Sequence, residues 1–307
     1  MKTEIFHTGY KDRPAIAIRT PLLTAVFLPE DGAKLASLRR TSDGHEYMES
    51  APGETYLRLF PDSNYVDCEC SSFDDMFPTI DPYTPQSGRF SGMTYPDHGE
   101  VARLPFTLTE TEDAFTLSLV SPLFGYTYHK KVSADADGGI RVDYTVQNIT
   151  GEDFPCIFAA HCMLHGEDDA RVFSSYPDDA AAEMTFGPAG KTLDGLPRDR
   201  LTGYQPKNGY AYKYYYTEPA PSGHFGVRYA DGYTLDFGVD NTVMPYLGVW
   251  LNNGRFKDMY NIALECCTAP FDAPDKAAAR GYDCVLKKED TLAFSLLITL
   301  RKEQNHE

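Results

Sequence analysis

Three segments of the chain gather ionisable side chains among aromatic and turn residues in a way that a plain protein core does not require. The first runs Ser72-Phe73-Asp74-Asp75-Met76-Phe77-Pro78-Thr79-Ile80-Asp81 and resumes at Tyr95-Pro96-Asp97-His98-Gly99-Glu100. The second is Phe158-Ala159-Ala160-His161-Cys162-Met163-Leu164-His165-Gly166. The third is Tyr246-Leu247-Gly248-Val249-Trp250-Leu251-Asn252-Asn253-Gly254, followed by Asn261-Ile262-Ala263-Leu264-Glu265-Cys266-Cys267-Thr268. Carboxylates and imidazoles in such surroundings are the groups that move protons near neutral pH.

Glu265 follows Ile262, Ala263 and Leu264 and precedes two cysteines. Desolvation there raises a carboxyl pKa and suits it to proton transfer. The same residue could instead end a strand, bonded to a backbone amide or an arginine. His161 follows Ile157, Phe158, Ala159 and Ala160, so its imidazole is either a catalyst or a satisfied core group. His98, in a Pro-Asp-His-Gly turn, reads as a loop residue bonded to Asp97. A third chemistry is open as well, because His98, His161 and Glu265 could converge as three ligands of a metal-dependent isomerase. The seven cysteines are an odd number. Cys68-Glu-Cys70 and Cys266-Cys267 also lack the CxxC spacing of a structural zinc site. Reduced, buried thiols are expected, with no structural metal.

The elements that must hold these groups read as strands. Ile140, Val142, Tyr144 and Val146 alternate with polar residues, and Leu292, Phe294, Leu296, Ile298 and Leu300 repeat the pattern. That period of two marks strands with one buried face. Phe225, Val227 and Tyr229 lead through Asp231-Gly232 into Tyr233, Leu235 and Phe237, a hairpin signature. Similar turns recur at Asp31-Gly32, Asp43-Gly44 and Gly138-Gly139. Helical patterns are confined to Asp178–Met184 and Pro274–Arg280, too little for alternating βαβ units. Pro188–Lys207, with Gly190, Gly195, Pro197 and Gly203, reads as a long loop, and the Tyr210–Tyr216 run as a core strand. The expected architecture is all-β, a large antiparallel β-sandwich formed as one domain over residues 1–307.

Composition narrows the partners. The 307 residues carry 45 Asp+Glu against 28 Lys+Arg, a formal charge of -17, which argues against nucleic acid or an anionic membrane as partner. No stretch approaches the roughly 20 apolar residues of a membrane-spanning helix. The start, Met1-Lys2-Thr3-Glu4, has no secretory apolar run, so a cytoplasmic location is expected.

The three segments together resemble the aldose 1-epimerase (mutarotase) family, with its galactose mutarotase-like β-supersandwich. Asp74-Asp75-Met76-Phe77-Pro78-Thr79 is similar to that family's acidic-aromatic WDEMFPT segment, with Phe73 in place of the Trp. Asp97-His98-Gly99-Glu100 is similar to its HG turn, Ala160-His161 to its second histidine, and Leu264-Glu265 to its EP glutamate. The order and spacing fit across roughly residues 15–300. The resemblance implies a reaction on a monosaccharide that opens and recloses a pyranose ring without metal or redox cofactor. Glu265 would take the C1 hydroxyl proton, a protonated His161 would donate to the ring oxygen, and His98 would hydrogen-bond nearby. It also implies substrate contacts from Asp75, Phe77, Trp250 and Asn252. Trp250 would either stack on the sugar or point into the core. A non-catalytic sugar-binding module of the same fold is the other class. No Asn-Arg pair stands in the first third, and Cys162 and Cys266 replace the family's prolines. Which aldose is used, and whether it is phosphorylated, stays open. The net charge disfavours a phosphate, although a local cluster such as Lys34, Arg39 and Arg40 could overcome it. Oligomeric state is likewise open.

Overall fold

In a computed structural model, which describes residues 3–201 and 209–303, the regular secondary structure is almost wholly antiparallel strand. The first half holds β1 (Glu4–Tyr10), β2 (Arg13–Arg19), β3 (Leu23–Leu28), β4 (Lys34–Arg40), β5 (Phe73–Met76), β6 (Thr107–Glu110), β7 (Ala114–Val120), β8 (Tyr126–Ala134) and β9 (Ile140–Asn148). The two-residue β10 (Phe154–Pro155) leads to β11 (Ala159–His165), β12 (Arg171–Ser174), β13 (Ala182–Phe186) and β14 (Tyr210–Tyr216). There follow β15 (His224–Arg228), β16 (Tyr233–Val239), β17 (Tyr246–Asn253), β18 (Tyr260–Cys267), the short helix α1 (Pro274–Ala278), β19 (Val285–Leu286) and β20 (Thr291–Lys302).

Two large sheets face each other. One has ten strands in the order β1-β2-β3-β4-β5-β11-β18-β17-β14-β13, and the other has eight in the order β12-β15-β16-β20-β9-β8-β7-β6. The eight-stranded sheet has the alternation read from the sequence. In β9, Ile140, Val142, Tyr144 and Val146 are buried, and in β20 so are Phe294, Leu296, Ile298 and Leu300. They meet Phe27, Phe73, Leu164, Val249 and Leu264 of the other sheet in one continuous core. The middle of the ten-stranded sheet is different, because β5, β11 and β18 are buried on both faces nearly throughout. Its second face carries a smaller cluster of Tyr65, Met76, Ile80, Ala159, Tyr215, Cys267 and Phe271. A strand covered on both sides reads as an apolar run rather than an alternating one.

The β15-β16 hairpin forms about Asp231-Gly232 with Gly232 at φ 81°. Pro274–Ala278 is helical, but the expected turn of helix over 178–184 is not there: its second half enters the edge strand β13, paired with β14. Residues 188–201 of the expected loop contain neither strand nor helix, and 202–208 lie outside the described residues. Among the described residues no helix is long and apolar enough to cross a membrane.

Candidate functional site

Successive side chains of a strand point to opposite faces, so register decides which residues can meet. Asp74 pairs with His161 across β5 and β11. His161 stands opposite Glu265 of β18, between the pairs Ala159 with Cys267 and Cys162 with Leu264. Glu265 pairs with Gly248 of β17, and Gly248 pairs with Tyr215 of β14. These five form one transverse row on the face turned away from the second sheet. One step along, the neighbouring row reads Met163, Ala263, Trp250 and Lys213. Residues of the opposite parity, among them Cys162, Leu264, Val249 and Tyr214, fill the core between the sheets.

Gly248 is what lets the row close. A Cβ at this position would lie 2.5 Å from the ring of Tyr215. The tyrosine therefore crosses over β17, and its hydroxyl donates to Asp272 Oδ1 at 2.9 Å and approaches Glu265 Oε2 at 3.5 Å. Lys213 Nζ bridges the same two carboxylates, 2.6 Å from Glu265 Oε2 and 2.6 Å from Asp272 Oδ1. Burial alone would discharge the lysine, but Asp272 and Glu265 outweigh it and hold the ammonium charged. Burial likewise opposes ionisation of Asp272, yet the attraction of Lys213 and the hydrogen bonds from Lys213 and Tyr215 hold its pKa below the usual range. For Glu265 burial is the larger effect, raising its pKa against the pull of Lys213. Its other oxygen, Oε1, is buried with no hydrogen-bond partner among the described residues. Oε1 stands 3.6 Å from His161 Nε2, beyond hydrogen-bond length.

His161 departs from expectation in its charge. Burial above all, with the neighbouring His98, Lys213 and Lys34 adding to it, pushes its pKa well below the ordinary imidazole value. The neutral ring is the resting form at neutral pH, so the protonated donor that the resemblance implies is not His161 at rest.

His98 approaches from a loop and lies 5.8 Å from His161, ring centre to ring centre. Its ring stacks on Tyr65 at 3.9 Å, and its Nδ1 is 2.9 Å from Asp97 Oδ1. Burial would raise the pKa of Asp97, but His98, the Tyr65 backbone amide and Arg103 keep that carboxyl below its usual range. The loop is tightly constrained. Gly99 has φ 75°, and a Cβ there would fall 2.5 Å from Phe77 O, so only glycine fits. Arg103 ties the turn down through the carbonyls of Asp97, Gly99 and Ser63. Tyr65 is anchored in turn, donating to Asp74 Oδ2 at 2.8 Å, and Asp74 is paired with the buried Lys34 at 2.8 Å.

Glu265, His161, His98, Trp250 and Asn252 all line one cavity of 660 Å³. Trp250 faces this cavity rather than the core, and its ring lies 5.4 Å from those of Phe186 and Phe256. Asn252 lines the floor, but its amide is engaged locally: Oδ1 accepts from Arg255 N and Phe256 N, and Nδ2 donates to Phe256 O. Asp75 and Phe77 must be corrected. Both point between the sheets, where Asp75 accepts from Tyr128, Lys130 and Tyr144 and Phe77 packs on Tyr126 and Phe154. Neither lines the cavity. The acid of that segment on the cavity side of the sheet is Asp74. The ligand-triad alternative is not met either. Among the described residues no three His, Cys, Asp or Glu side chains converge to hold a metal.

Sequence reasoning missed Lys213, Asp272 and Tyr65, and it named Asn261 only as part of the third segment; Asn261 Oδ1 is buried with no hydrogen-bond partner among the described residues. Only Lys213 left a signal, a single charge inside the Tyr210–Tyr216 run whose neighbours are Tyr and Ala.

No family model and no curated protein matches this sequence. Solved structures do match in shape. A galactose mutarotase-like protein from Clostridium acetobutylicum superposes with a TM-score of 0.68 at 13% identity, covering 98% of this chain and 99% of that one. One from Lactobacillus casei gives 0.65 at 17%, covering 94% and 100%. A GalM/aldose epimerase homologue from C. elegans gives 0.60 at 12%, covering 99% and 100%. The chain has the fold of the galactose mutarotase-like proteins.

Proposed function

We propose that the protein interconverts the anomers of an uncharged aldose by acid/base opening and closing of the pyranose ring. The observation that carries this reading is Glu265 Oε1, a buried, unpartnered carboxylate oxygen beside His161 on the floor of a cavity with a tryptophan in its wall. Such an oxygen can take the proton of a C1 hydroxyl, and its raised pKa suits it to return that proton on closure. An acid is needed on the other side of the same C–O bond. His98 is placed for that part: with Nδ1–H donating to Asp97, the imidazolium form of His98 would carry the Nε2–H that the ring oxygen needs. His161, neutral, would hydrogen-bond the reacting hydroxyl. Asp75 and Phe77 have no part in the contact set, whereas Trp250 and Asn252 remain in it.

The charge of the cavity supports an uncharged substrate. Four carboxylates and three cations line it, and each cation is paired: Lys213 with Glu265 and Asp272, Lys276 with Asp81, Arg280 with Glu183. Lys34, Arg39 and Arg40 are likewise bound to Asp74, Glu46, Asp43 and Asp231. A phosphate would have to break one of these pairs. Anomer exchange measured by NMR over a panel of free and phosphorylated aldoses tests the reading. Acceleration of a free aldose, with its 6-phosphate left near the buffer rate, is expected. Acceleration confined to phosphorylated sugars, or sugar binding with exchange at the spontaneous rate throughout, would contradict it.

A further inference from the structure

The acid/base reading above uses one oxygen of Glu265 and leaves the other unexplained. Left to itself, a carboxylate presents two equivalent oxygens and rotates between them. Here Oε2 is held at 2.6 Å by the ammonium of Lys213, while Oε1 is free of hydrogen bonds among the described residues. Lys213 is itself fixed from two sides. It stands on β14 in register with Trp250 of β17, and Asp272 Oδ1 takes a second N–H at 2.6 Å and also accepts from Tyr215. We propose that Lys213 is a positioning residue, clamping Oε2 of Glu265 so that Oε1 is the single oxygen offered to a ligand, with Asp272 and Tyr215 holding the clamp in place. This inference rests on the acid/base reading of Glu265.

The charge arithmetic supports the clamp. One ammonium serves two carboxylates, so the cluster keeps one excess negative charge, and the only carboxylate oxygen of Glu265 without a partner is Oε1. The groups facing Glu265 are Lys213 and Tyr215 from β14, Asp272 from the segment after β18, His161 from β11, His98 from its loop, and the neighbouring Cys267. Lys213 is the nearest cation among them. A Schiff base between Lys213 and the open-chain aldehyde would need the neutral amine, which both carboxylates disfavour.

The sign follows from the base having to be ionised: activity is lost as pH falls through its pKa. Removing the adjacent cation raises that pKa, and removing the adjacent anion lowers it. The test is therefore a pair of variants, Lys213→Met and Asp272→Asn. The Glu265 carboxyl is titrated by ¹³C NMR, with its resonance assigned against Glu265→Gln, and the pH profile of anomer exchange is measured beside it. Lys213→Met should lose about 100-fold in kcat/KM at neutral pH, the scale of a misplaced catalytic group. Its Glu265 titration and the acid limb of its profile should move upward. Asp272→Asn should move both downward, and Lys213→Arg should restore most of the parental profile. If Lys213→Met does not fold, the opposite shift in Asp272→Asn still decides the matter. A Glu265 titration unmoved in either variant, or moved the same way in both, would overturn the clamp. If the parent accelerates no sugar at all, the acid/base reading falls instead, and the carboxyl titration still decides whether Lys213 controls Glu265.

Discussion

A carboxylate buried as completely as Glu265 needs a compensating charge, and it has one on Oε2 alone. The asymmetry makes the residue useful: one oxygen is anchored and the other is available for a proton. The aromatic wall of the cavity gives this chemistry an optical reporter, because Trp250 is the only tryptophan and lines the same cavity as Glu265. An apolar ring stacks on the C–H face of a pyranose, so titration with a turned-over aldose should give a saturable change in emission. Trp250→Phe should bind the sugar more weakly. A flat titration with intact turnover would assign the stacking to Phe186 or Phe256. At this scale the sequence was informative where an ionisable group interrupts an apolar run, as at His161 and Glu265. It was silent on partners that arrive from distant segments, such as Asp272, and on the charge state of His161, which depends on burial that only the assembled sheet creates.

Strand parity explains both the success and the error of reading elements from sequence. β9 and β20 alternate cleanly because one face is wet, so their strand character and facing were legible, and the β15-β16 hairpin was legible from its Asp-Gly turn. In β5, β11 and β18 both faces are covered, and alternation disappears. Asp74 and Asp75 are adjacent acids in such a strand, and nothing local says which one turns outward. The answer lies across the core, where Lys130, Tyr128 and Tyr144 accommodate Asp75. The Ala-rich stretch before Met184 gave a helical signal that edge pairing with β14 overrode. The most consequential element-level feature is the gap at Gly248. Gly248→Ala forces a methyl to 2.5 Å from the Tyr215 ring, an overpacking that should cost about 1–3 kcal/mol. The tyrosine hydroxyl should also be displaced from Asp272. Thermal or urea unfolding beside exchange kinetics checks this: a variant of parental stability and rate would mean the ring moves aside freely.

For the molecule as a whole, the two sheets divide the labour. Their facing sides make the core, and the outer side of the ten-stranded sheet carries a row of reactive residues contributed by strands from residue 74 to residue 265. The net charge of -17 is not concentrated in the cavity, whose cations and carboxylates nearly balance. That balance is why an uncharged sugar is the proposed substrate even though the chain is acidic overall. The central claim is that Glu265 is the proton acceptor for ring opening, and anomer exchange in Glu265→Gln tests it most directly. The amide keeps the shape but cannot take a proton, so the variant should stay folded and still perturb Trp250 on sugar binding. Its enzyme-dependent exchange of the aldose that the parent turns over should fall by about 100-fold or more, the usual contribution of a general base. Exchange at the parental rate in folded Glu265→Gln would contradict the account.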